Sequence, residues 1–539
     1  MPMVKQIKSL LYFPIAYYFR FFARIQLAMW KPTIIVVTGS SGKTTLLHLT
    51  ESQIRDKARY SHQANSSYGI PFDILGLKRK SLTPDEWLHL FLLAPFKAFK
   101  KPYKENLYIV EADCDRPYEG RFLASLLKPK VTIWTNVSRT HTVNFDKLVT
   151  SSNRHFDKGG ARQYLPHPEA PTVQSDSGQA RLAEALASRR SSGLASLAVR
   201  LVSARRESRR AKRARMTPVQ FSSVEEAIAY EFGYFLEATS KLAIVNSDSK
   251  FINKQIKRSK AELKTVSQKN TDYYKVFKDH TEFKINGKTY SINALLPKEA
   301  FISIQMTTFL LDYLKIKPDP SFSKFSLPPG RCNLLKGIKN TVIIDSTYNA
   351  TPDGMKAILN MFDLYPVNVK WVVLGDMIEL GNEEQEEHER LADVMNSMNL
   401  DKIILVGPRV SKYTYPKLKK DWLYSSSEVS PKADESRSSR QDGYQMGQYQ
   451  LVRPSPEPTG SGMVTRQART INPVIEKFIM PKDALNYLLS NIKGHEVILF
   501  KGARFLEGII EHLLIDKNDV KKLPRRERIW QERRRKWNL

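Results

Sequence analysis

Short apolar runs rich in β-branched residues recur along the chain, and each run ends in small or polar residues. Longer stretches with helical character lie between them. Parallel strands that are buried on both faces are apolar throughout and carry their functional groups at their carboxyl ends, so this alternation predicts an α/β fold. The runs are 33-TIIVVTG-39, 107-LYIVEAD-113, 131-VTIWTNVS-138, 241-KLAIVNSDS-249, 341-TVIIDST-347, 370-KWVVLGDM-377, 402-KIILVGP-408 and 496-EVILFKG-502.

The first run leads into a glycine-rich turn, 38-TGSSGKTT-45, which predicts a phosphate-binding P-loop. Val37 stands where the commonest P-loop pattern has its first glycine. Backbone N–H groups of such a turn, at the start of a helix, bind phosphate oxygens. Lys43 is placed to reach the β- and γ-phosphates, and the hydroxyl of Thr44 to hold Mg²⁺. An incidental glycine turn is the alternative, but the flanking strand and the helix-like 43-KTTLLHLTESQI-54 favour a nucleotide site.

The runs fall into two groups, separated by the Pro- and Ser-rich segment 317–331. We therefore predict a P-loop-containing central domain with a mostly parallel sheet, followed by a Rossmann-like C-terminal α/β domain. The predicted units are an aromatic basic N-terminal helix (1–30), the central domain (31–320), the C-terminal domain (325–516) and a basic tail (517–539).

The N-terminal segment leaves two interpretations open. Its apolar run from Leu10 to Phe19 contains Pro14 and ends at Arg20, which is short of the roughly 20 apolar residues that span a bilayer. A helix lying on the membrane surface is one interpretation, and a helix packed against the first domain is the other. We predict a cytoplasmic location, and the first interpretation would add contact with the inner membrane surface.

Charge and cysteine content change this picture only a little. The 539 residues carry a net charge of +30 and two cysteines, which excludes a disulfide framework and favours a reducing compartment. Part of the excess charge lies in the Arg-rich segment 151–218 and in the tail, so no specific nucleic-acid partner is predicted. Segments 151–218 and 424–470 have the composition of disordered insertions or of a sequence artefact. A nucleic-acid-binding arm is the alternative for the first.

Two further residues at strand ends extend the predicted site. Glu111 closes an apolar strand, where an acidic group without a partner would be costly, and a metal ion would explain it. His141 follows the end of the next strand, on the same predicted sheet edge as Lys43. A lone histidine is more often structural, but this position favours a ligand.

These motifs together resemble the Mur ligase family, ATP-dependent enzymes that join amino acids or peptides to cell-wall precursors. The family's shorter P-loop, T-G-[ST]-x-G-K-[ST]-[ST], fits Thr38 to Thr45 and accounts for Val37. Two elements, Y-N-A-x-P within 343–355 and L-G-D-M-x-E-L-G within 373–381, resemble the MurF branch, which adds D-alanyl-D-alanine to a UDP-muramoyl-tripeptide. The matching segments are 65-NSSYGIPFDIL-75, 135-TNVSRTH-141, 328-PPGRCN-333, 343-IIDSTYNATPDGM-355, 373-VLGDMIELG-381 and 498-ILFKGAR-504.

The chain departs from the family at three places. Residues 1–32 are too few for the family's N-terminal domain that grips the UDP part of the substrate. Phe232 stands where the family often has a carbamylated lysine that helps to bind a second metal ion. A phenylalanine can be neither carbamylated nor bound to Mg²⁺. The segment 296-LPKEAFISIQ-305 stands in place of the family's G-x-H-N motif.

The resemblance implies that ATP phosphorylates a substrate carboxylate and that an amine then displaces the phosphate. The implied cofactors are ATP and Mg²⁺, and the implied partners are a carboxylate-bearing cell-wall precursor and an amino acid or dipeptide, acted on by a monomer. Lys43, Glu111, His141 and Arg331 are the implied catalytic residues, and Thr44, Glu111 and His141 the metal ligands. The implied nucleotide-binding residues are Gly39, Ser40, Ser41, Gly42, Lys43, Thr44, Thr45, Arg331, Asp345 and Asn349; the implied substrate-binding residues are Asn65, Ser66, Lys501 and Arg504.

Simpler roles remain open for the residues of the second domain. Arg331 would otherwise form a surface ion pair, Asp345 would cap a helix, and Lys501 with Arg504 would pair with acidic groups of the sheet edge. His388 lies in the charged stretch 383-EEQEEHERL-391, and we expect it to be solvated. Two alternatives to a MurF-like ligase also stay open: a related ligase with a non-UDP acceptor, and a nucleotide-binding module with weak or no catalysis.

Overall fold

The structure is a computed structural model that describes residues 2–62, 64–79, 83–149, 220–427, 473–503, 505–535, 537 and 539. Its first sheet has six parallel strands in the order β2-β3-β1-β4-β5-β6. The strand that leads into the P-loop, β1, therefore lies at the centre of the sheet. The strands are β1 (Thr33–Thr38), β2 (Ala58–Tyr60), β3 (Leu107–Ala112), β4 (Val131–Trp134), β5 (Leu242–Asn246) and β6 (Glu262–Val266).

Helices cover both faces of this sheet because alternate residues of β1 are apolar on each side. Val37 belongs to a core shared with Leu46 and Met306, whereas Val36 belongs to a core shared with Phe122 and Phe232. The helices of this half are α1 (Pro2–Trp30), α2 (Lys43–Ile54), α3 (Gly69–Leu75), α4 (Pro84–Ala98), α5 (Glu119–Leu127), α6 (Val224–Ala238), α7 (Lys250–Gln255) and α8 (Ala300–Tyr313).

The N-terminal helix α1 packs against this half of the molecule. Ala16, Phe19 and Ala23 are buried on one face of the helix, and the rings of Phe19 and Phe72 lie 4.7 Å apart. The packed arrangement is thus the one that the structure shows. None of the helices among the described residues combines the length and hydropathy that crossing a bilayer requires.

An antiparallel three-stranded meander lies between the two large sheets in sequence, and the apolar runs did not predict it. Its strands are β7 (Thr271–Val276), β8 (Thr281–Ile285) and β9 (Lys288–Ile292). Phe283 and Ile292 pack in a small core together with Phe301 of α8.

The second large sheet has the order β10-β11-β15-β12-β13-β14, in which only the pairing of β10 with β11 is antiparallel. The predicted α/β architecture with two large sheets is confirmed. Its strands are β10 (Asn333–Lys336), β11 (Val342–Ser346), β12 (Lys370–Gly375), β13 (Lys402–Val406), β14 (Val474–Phe478) and β15 (Val497–Lys501); its helices are α9 (Pro352–Asp363), α10 (Glu384–Asn396), α11 (Tyr415–Ser427), α12 (Pro481–Asn491), α13 (Leu506–Leu513) and α14 (Arg528–Arg535).

Two of the predicted segments contact or continue neighbouring elements. In the basic tail, Arg525, Arg526 and Arg534 form ion pairs with Glu507 and Glu511 of α13. Residues 424–427 of the predicted insertion 424–470 continue α11. The rest of that insertion, and the predicted insertion 151–218, lie outside the described residues.

Candidate active site

The P-loop is held in shape by glycine geometry and by the strand beside it. Gly39 and Gly42 have φ values of 128° and 79°, which side chains other than hydrogen rarely adopt. A Cβ at Gly39 would also lie 2.3 Å from the hydroxyl oxygen of Thr135. Asn136, which sequence reasoning missed, accepts a 2.8 Å hydrogen bond from Ser41 N and through its carbonyl a 3.1 Å bond from Ser40 N.

Lys43 opens α2, is 5% exposed and points back onto the loop. Its Nζ donates to the Gly39 carbonyl at 2.6 Å and lies 2.8 Å from Asp113 Oδ2. Burial lowers the pKa of Lys43, but the Asp113 and Glu111 carboxylates outweigh burial, so the pKa lies above its usual value. Asp113 was also missed, although it follows β3 two residues after Glu111, a spacing that puts both on one side of a strand.

Thr44 joins the two halves of the molecule. Its hydroxyl lies 3.0 Å from Glu111 Oε2 and accepts a 3.0 Å hydrogen bond from Arg331 Nη2. The guanidinium of Arg331 also lies 4.7 Å from the ring centroid of Tyr348. Burial raises the pKa of Glu111 despite the neighbouring Lys43 and Arg331. The structure thus places Arg331 on the P-loop rather than in a surface ion pair, and Thr45 follows within the first turn of α2.

His141 lies between carboxylates from both halves. Its Nε2 is 3.2 Å from Asp115 Oδ1 and its Nδ1 is 2.6 Å from Glu379 Oε2. Burial lowers its pKa, but the Glu379 and Asp115 carboxylates raise it to about 9. Burial raises the pKa of Asp115 to about 7. One ligand atom each of Asp113, Asp115 and His141 lie within 4.8 Å of one another, so the three side chains could share an ion. Because its raised pKa keeps His141 protonated near pH 7, His141 would have to lose that proton to bind the ion.

The expected nucleotide residues of the second half differ in access. Asp345 is completely buried, and its Oδ1 accepts hydrogen bonds from the N–H and hydroxyl of Thr347. It does not cap the following helix either, because Thr351 accepts the hydrogen bond from Gly354 N at the start of α9. Asn349 is exposed and its carbonyl accepts a 3.0 Å bond from Lys501 Nζ.

The expected substrate residues lie on both halves of the chain. Lys501 is buried, and burial lowers its pKa to about 8. Its neighbours are the Ser346 hydroxyl at 3.4 Å and the Asn349 carbonyl, and not the acidic edge that was the alternative. The backbone carbonyl of Asn65 accepts a 2.8 Å hydrogen bond from Asp113 N, which places Asn65 beside the carboxylate that pairs with Lys43. Ser66 accepts a bond from Gly69 N at the start of α3, and Arg504 lies outside the described residues.

The expectation that His388 is solvated is wrong. The residue is completely buried, and its Nε2 accepts a 3.2 Å hydrogen bond from Met377 N. Its Nδ1 donates to the Glu384 carbonyl at 2.6 Å. Burial lowers its pKa, so the neutral ring fastens the loop after β12 to α10. The charged residues around it occupy the other faces of the helix.

Phe232 takes no part in the site. It is 1% exposed and its ring packs 5.9 Å from that of Trp134. The preceding residue, Glu231, accepts hydrogen bonds from Tyr118 N and Gly120 N at the start of α5. Burial raises the pKa of Glu231 to about 7. The expected lysine position is therefore part of the core.

A P-loop α/β domain and a second α/β domain whose arginine reaches the loop define a nucleotide-binding class with two domains. The family model for the Mur ligase middle domain matches residues 37–149, and the model for the Mur ligase glutamate ligase domain matches residues 330–433. Both models describe domains of Mur ligases, so the chain is similar to that family over these two ranges.

Two curated relatives carry the name UDP-N-acetylmuramoyl-tripeptide–D-alanyl-D-alanine ligase. The protein from Rickettsia prowazekii is 29% identical over 140 residues, which is 25% of this chain and 31% of the relative. The protein from Bacillus subtilis is 29% identical over 176 residues, which is 29% of this chain and 38% of the relative. The matches thus span less than two fifths of the relatives' length.

Two solved structures share the fold. The MurF ligase of Thermotoga maritima in complex with ADP superposes with a TM-score of 0.57 at 17% identity, covering 94% of this chain and 84% of that one. MurF of Acinetobacter baumannii superposes with a TM-score of 0.55 at 14% identity, covering 91% and 78%.

Proposed function

We propose that the protein is an ATP-dependent ligase of the MurF type, which joins D-alanyl-D-alanine to a UDP-muramoyl-tripeptide in the synthesis of cell-wall precursors. The observation that carries the proposal is the meeting of Lys43, Thr44 and Glu111 with Arg331 from the other half of the chain. Phosphoryl transfer depends mainly on such positioning and charge neutralisation. The names of the relatives support the choice of substrates.

The nucleotide-binding step assigns a role to each part of the loop. The N–H groups from Gly42 to Thr45 would face the phosphates at the positive end of α2, whereas those of Ser40 and Ser41 donate to Asn136. Lys43 would move from Asp113 onto the β- and γ-phosphates, and Arg331 would contact the γ-phosphate from the opposite side. Asn349 is the exposed candidate for the ribose or base, whereas Asp345 would act through Thr347.

The oxygen-rich donor set beside the loop fits Mg²⁺, which prefers carboxylate and hydroxyl oxygens. Thr44 and Glu111 would hold one ion, since their oxygens already lie 3.0 Å apart. Asp113, Asp115 and His141 are the candidates for a second. A bound ion would neutralise part of the phosphate charge. Phe232 contributes nothing to either set.

The proposed reaction has two balanced steps. A carboxylate oxygen of the tripeptide attacks the γ-phosphorus of ATP, and ADP leaves, which produces an acyl phosphate. The amine of the dipeptide then attacks the acyl carbon, loses a proton and expels inorganic phosphate as the amide forms. Lys501, whose pKa is lowered to about 8, and Asn65 with Ser66 are proposed to orient the two substrates. Contact between the halves would keep water from the acyl phosphate.

The direct test is phosphate release by the purified chain with ATP, Mg²⁺, UDP-muramoyl-tripeptide and D-alanyl-D-alanine, each omitted in turn. We expect release only when all are present, together with the joined product by mass spectrometry. Release with a lipid-linked or polyglutamate-type acceptor instead would favour the related ligase. ATP binding without release for any acceptor would favour a nucleotide-binding module.

We also propose that the protein is a monomer in the cytoplasm and contacts the inner membrane. The contact was predicted for the N-terminal segment, but α1 packs against the first half of the molecule, so we assign it to the exposed apolar face of α4. Leu88, Leu92 and Phe96 follow one another at four-residue spacing on one face of this helix, Phe99 lies just after its end, and all four are 61–77% exposed. Residues 87–104 hold four lysines and no acidic residue, and residues 1–50 hold no acidic residue, which suits anionic lipid.

Sedimentation with vesicles tests this contact. We expect binding to vesicles that contain phosphatidylglycerol, weaker binding to phosphatidylcholine alone, and loss with Leu92→Glu/Phe96→Glu. Equal binding of that variant would contradict the contact, and light scattering that shows a dimer only in the unsubstituted chain would assign the surface to a second copy.

A further inference from the structure

Two histidines and one glutamate converge beside α2, one helical turn beyond the P-loop. His48 and Glu51 lie three residues apart and so share a face of α2, while His62 follows β2. The Glu51 carboxylate lies between the two rings, with Oε2 3.5 Å from His48 Nδ1 and Oε1 3.0 Å from His62 Nε2. One ligand atom of each residue lies within 4.8 Å of the other two.

We propose that His48, Glu51 and His62 form a binding site for a transition-metal dication such as Zn²⁺, separate from the nucleotide-linked Mg²⁺ sites. Two imidazoles and one carboxylate are a ligand set that Zn²⁺ and Co²⁺ prefer and that Mg²⁺ does not. Tetrahedral ligands at zinc distances lie about 3.4 Å apart. Side-chain rotations alone would therefore bring these three groups into place.

The surroundings prepare the two rings for this role. Their centroids lie 4.9 Å apart, and the Tyr60 ring stacks on His62 at 5.8 Å. Tyr60 is itself fixed by a 2.8 Å hydrogen bond from its hydroxyl to the Arg55 carbonyl. The stacking and this hydrogen bond thus hold the two imidazoles side by side next to the Glu51 carboxylate.

The site has room for a further ligand. The three residues line an open cavity of about 620 Å³, which Arg55, Lys324 and Ser326 also border. A water molecule or an anion would complete the coordination from this cavity, which both cationic side chains and the Asp56 carboxylate border. Lys324 belongs to the segment between the two large sheets, so a bound ion would lie where the two halves of the chain meet.

A second cluster of potential ligands in the same chain allows the metal preference of the two clusters to be compared. Asp113, Asp115 and His141 offer mostly oxygen, and they border the P-loop. A borderline ion such as Co²⁺ should therefore distinguish the two clusters, because a site with two imidazoles binds it more tightly than an oxygen-rich site.

The test uses the untagged full chain titrated with Co²⁺, followed by visible absorption and calorimetry. We expect one ion per chain with the strong d–d bands of tetrahedral Co²⁺, displaced by Zn²⁺. His62→Ala and Glu51→Gln should each weaken binding at least about 10-fold. His89→Ala, which removes an exposed histidine of α4, and Asp115→Asn should leave it unchanged.

The folded state of each variant is checked by thermal unfolding without metal, where His62→Ala should match the unsubstituted chain because His62 is exposed. Unchanged Co²⁺ binding by His62→Ala and Glu51→Gln would overturn the proposal. Loss of the bands in Asp115→Asn would assign the ion to the P-loop cluster and overturn it as well.

Discussion

The carboxyl ends of the two large sheets use charged residues in opposite ways. At the first sheet, Lys43 lies 2.8 Å from the Asp113 carboxylate and Glu111 lies 3.0 Å from the Thr44 hydroxyl. At the second sheet, Asp376 accepts 3.0 Å hydrogen bonds from the backbone N–H groups of Arg409 and Val410. A ligand can displace a side chain such as Asp113 by rotation of that side chain, whereas displacing Asp376 would leave two backbone N–H groups without their acceptor.

The comparison teaches that burial alone does not identify a functional charge. Asp376 and His388 are each completely buried, more so than Lys43 or Glu111, yet their hydrogen bonds fasten the loop that follows β12. Lys43 also donates to the Gly39 carbonyl, but its contact with the Asp113 carboxylate, at 2.8 Å, is closer than the contact of Asp376 with the Arg409 guanidinium, at 3.6 Å. A close side-chain partner is therefore a better guide to a functional charge than burial. Four substitutions test this distinction.

The largest effect is expected for Lys43→Ala. Loss of the cation that contacts the phosphates should reduce phosphate release about 1000-fold, or about 4 kcal/mol. The matched control is Lys130→Ala, an exposed lysine just before β4, which should release phosphate normally. Turnover by Lys43→Ala within 10-fold of the unsubstituted chain would remove the P-loop from the mechanism.

Asp376→Ala should act on stability instead. Two buried N–H groups would lose their acceptor, which we expect to cost about 3 kcal/mol of unfolding free energy. Urea unfolding measures this loss, and nucleotide affinity below the transition should change little. Asp393→Ala is the control, since Asp393 is exposed on α10. A large change in nucleotide affinity with normal stability would place Asp376 in the binding site.

His388→Ala should cost about 2 kcal/mol, because it leaves a void and an unpaired Met377 N–H. The expected change is a lower urea midpoint with an unaltered pH profile of turnover. His512→Ala, at an exposed position in α13, should unfold normally. If the pH profile of turnover shifts in His388→Ala, the ring acts in the reaction and not in the scaffold.

The smallest effect concerns the pair of His141 with Glu379. Because the folded pKa of His141 is raised from 6.5 to about 9, its stabilisation is complete below about pH 6.5 and is lost as pH rises through about 9. The side chains are 31% and 52% exposed, so solvent reduces the effect to less than about 1 kcal/mol. Unfolding midpoints between pH 7 and 10 should fall slightly, and His141→Gln should flatten the fall.

The sequence was sufficient for elements whose signal is local. The eight apolar runs each contain a strand, and 43–54 forms α2 as expected. Edge strands and the meander were missed because one of their faces is exposed, so they lack a continuous apolar run. In β8, Thr281, Phe283 and Ile285 are buried in alternation with more exposed residues, and a search for period two would have found it.

The parts of the site that depend on distant contacts were less predictable. Asn136 was missed because its role exists only where β4 ends beside the loop. His388 was misjudged because a charged helix was taken to be exposed on every face, although one face packs under the loop of Met377. The roles assigned to Lys43, Thr44, Glu111 and Arg331 remain predictions, and their convergence could not be read from positions nearly 300 residues apart.

The ion pair between Lys43 and Asp113 means that the loop carries an internal anion in the place where a phosphate would act. A nucleotide gains the lysine only by displacing this carboxylate, so part of its affinity is spent on the exchange. A cation bound by the released Asp113 would offset that cost. By reciprocity, nucleotide and cation should then strengthen each other's binding by the same factor. The resting protein would respond weakly to either ligand alone and strongly to the metal–nucleotide complex.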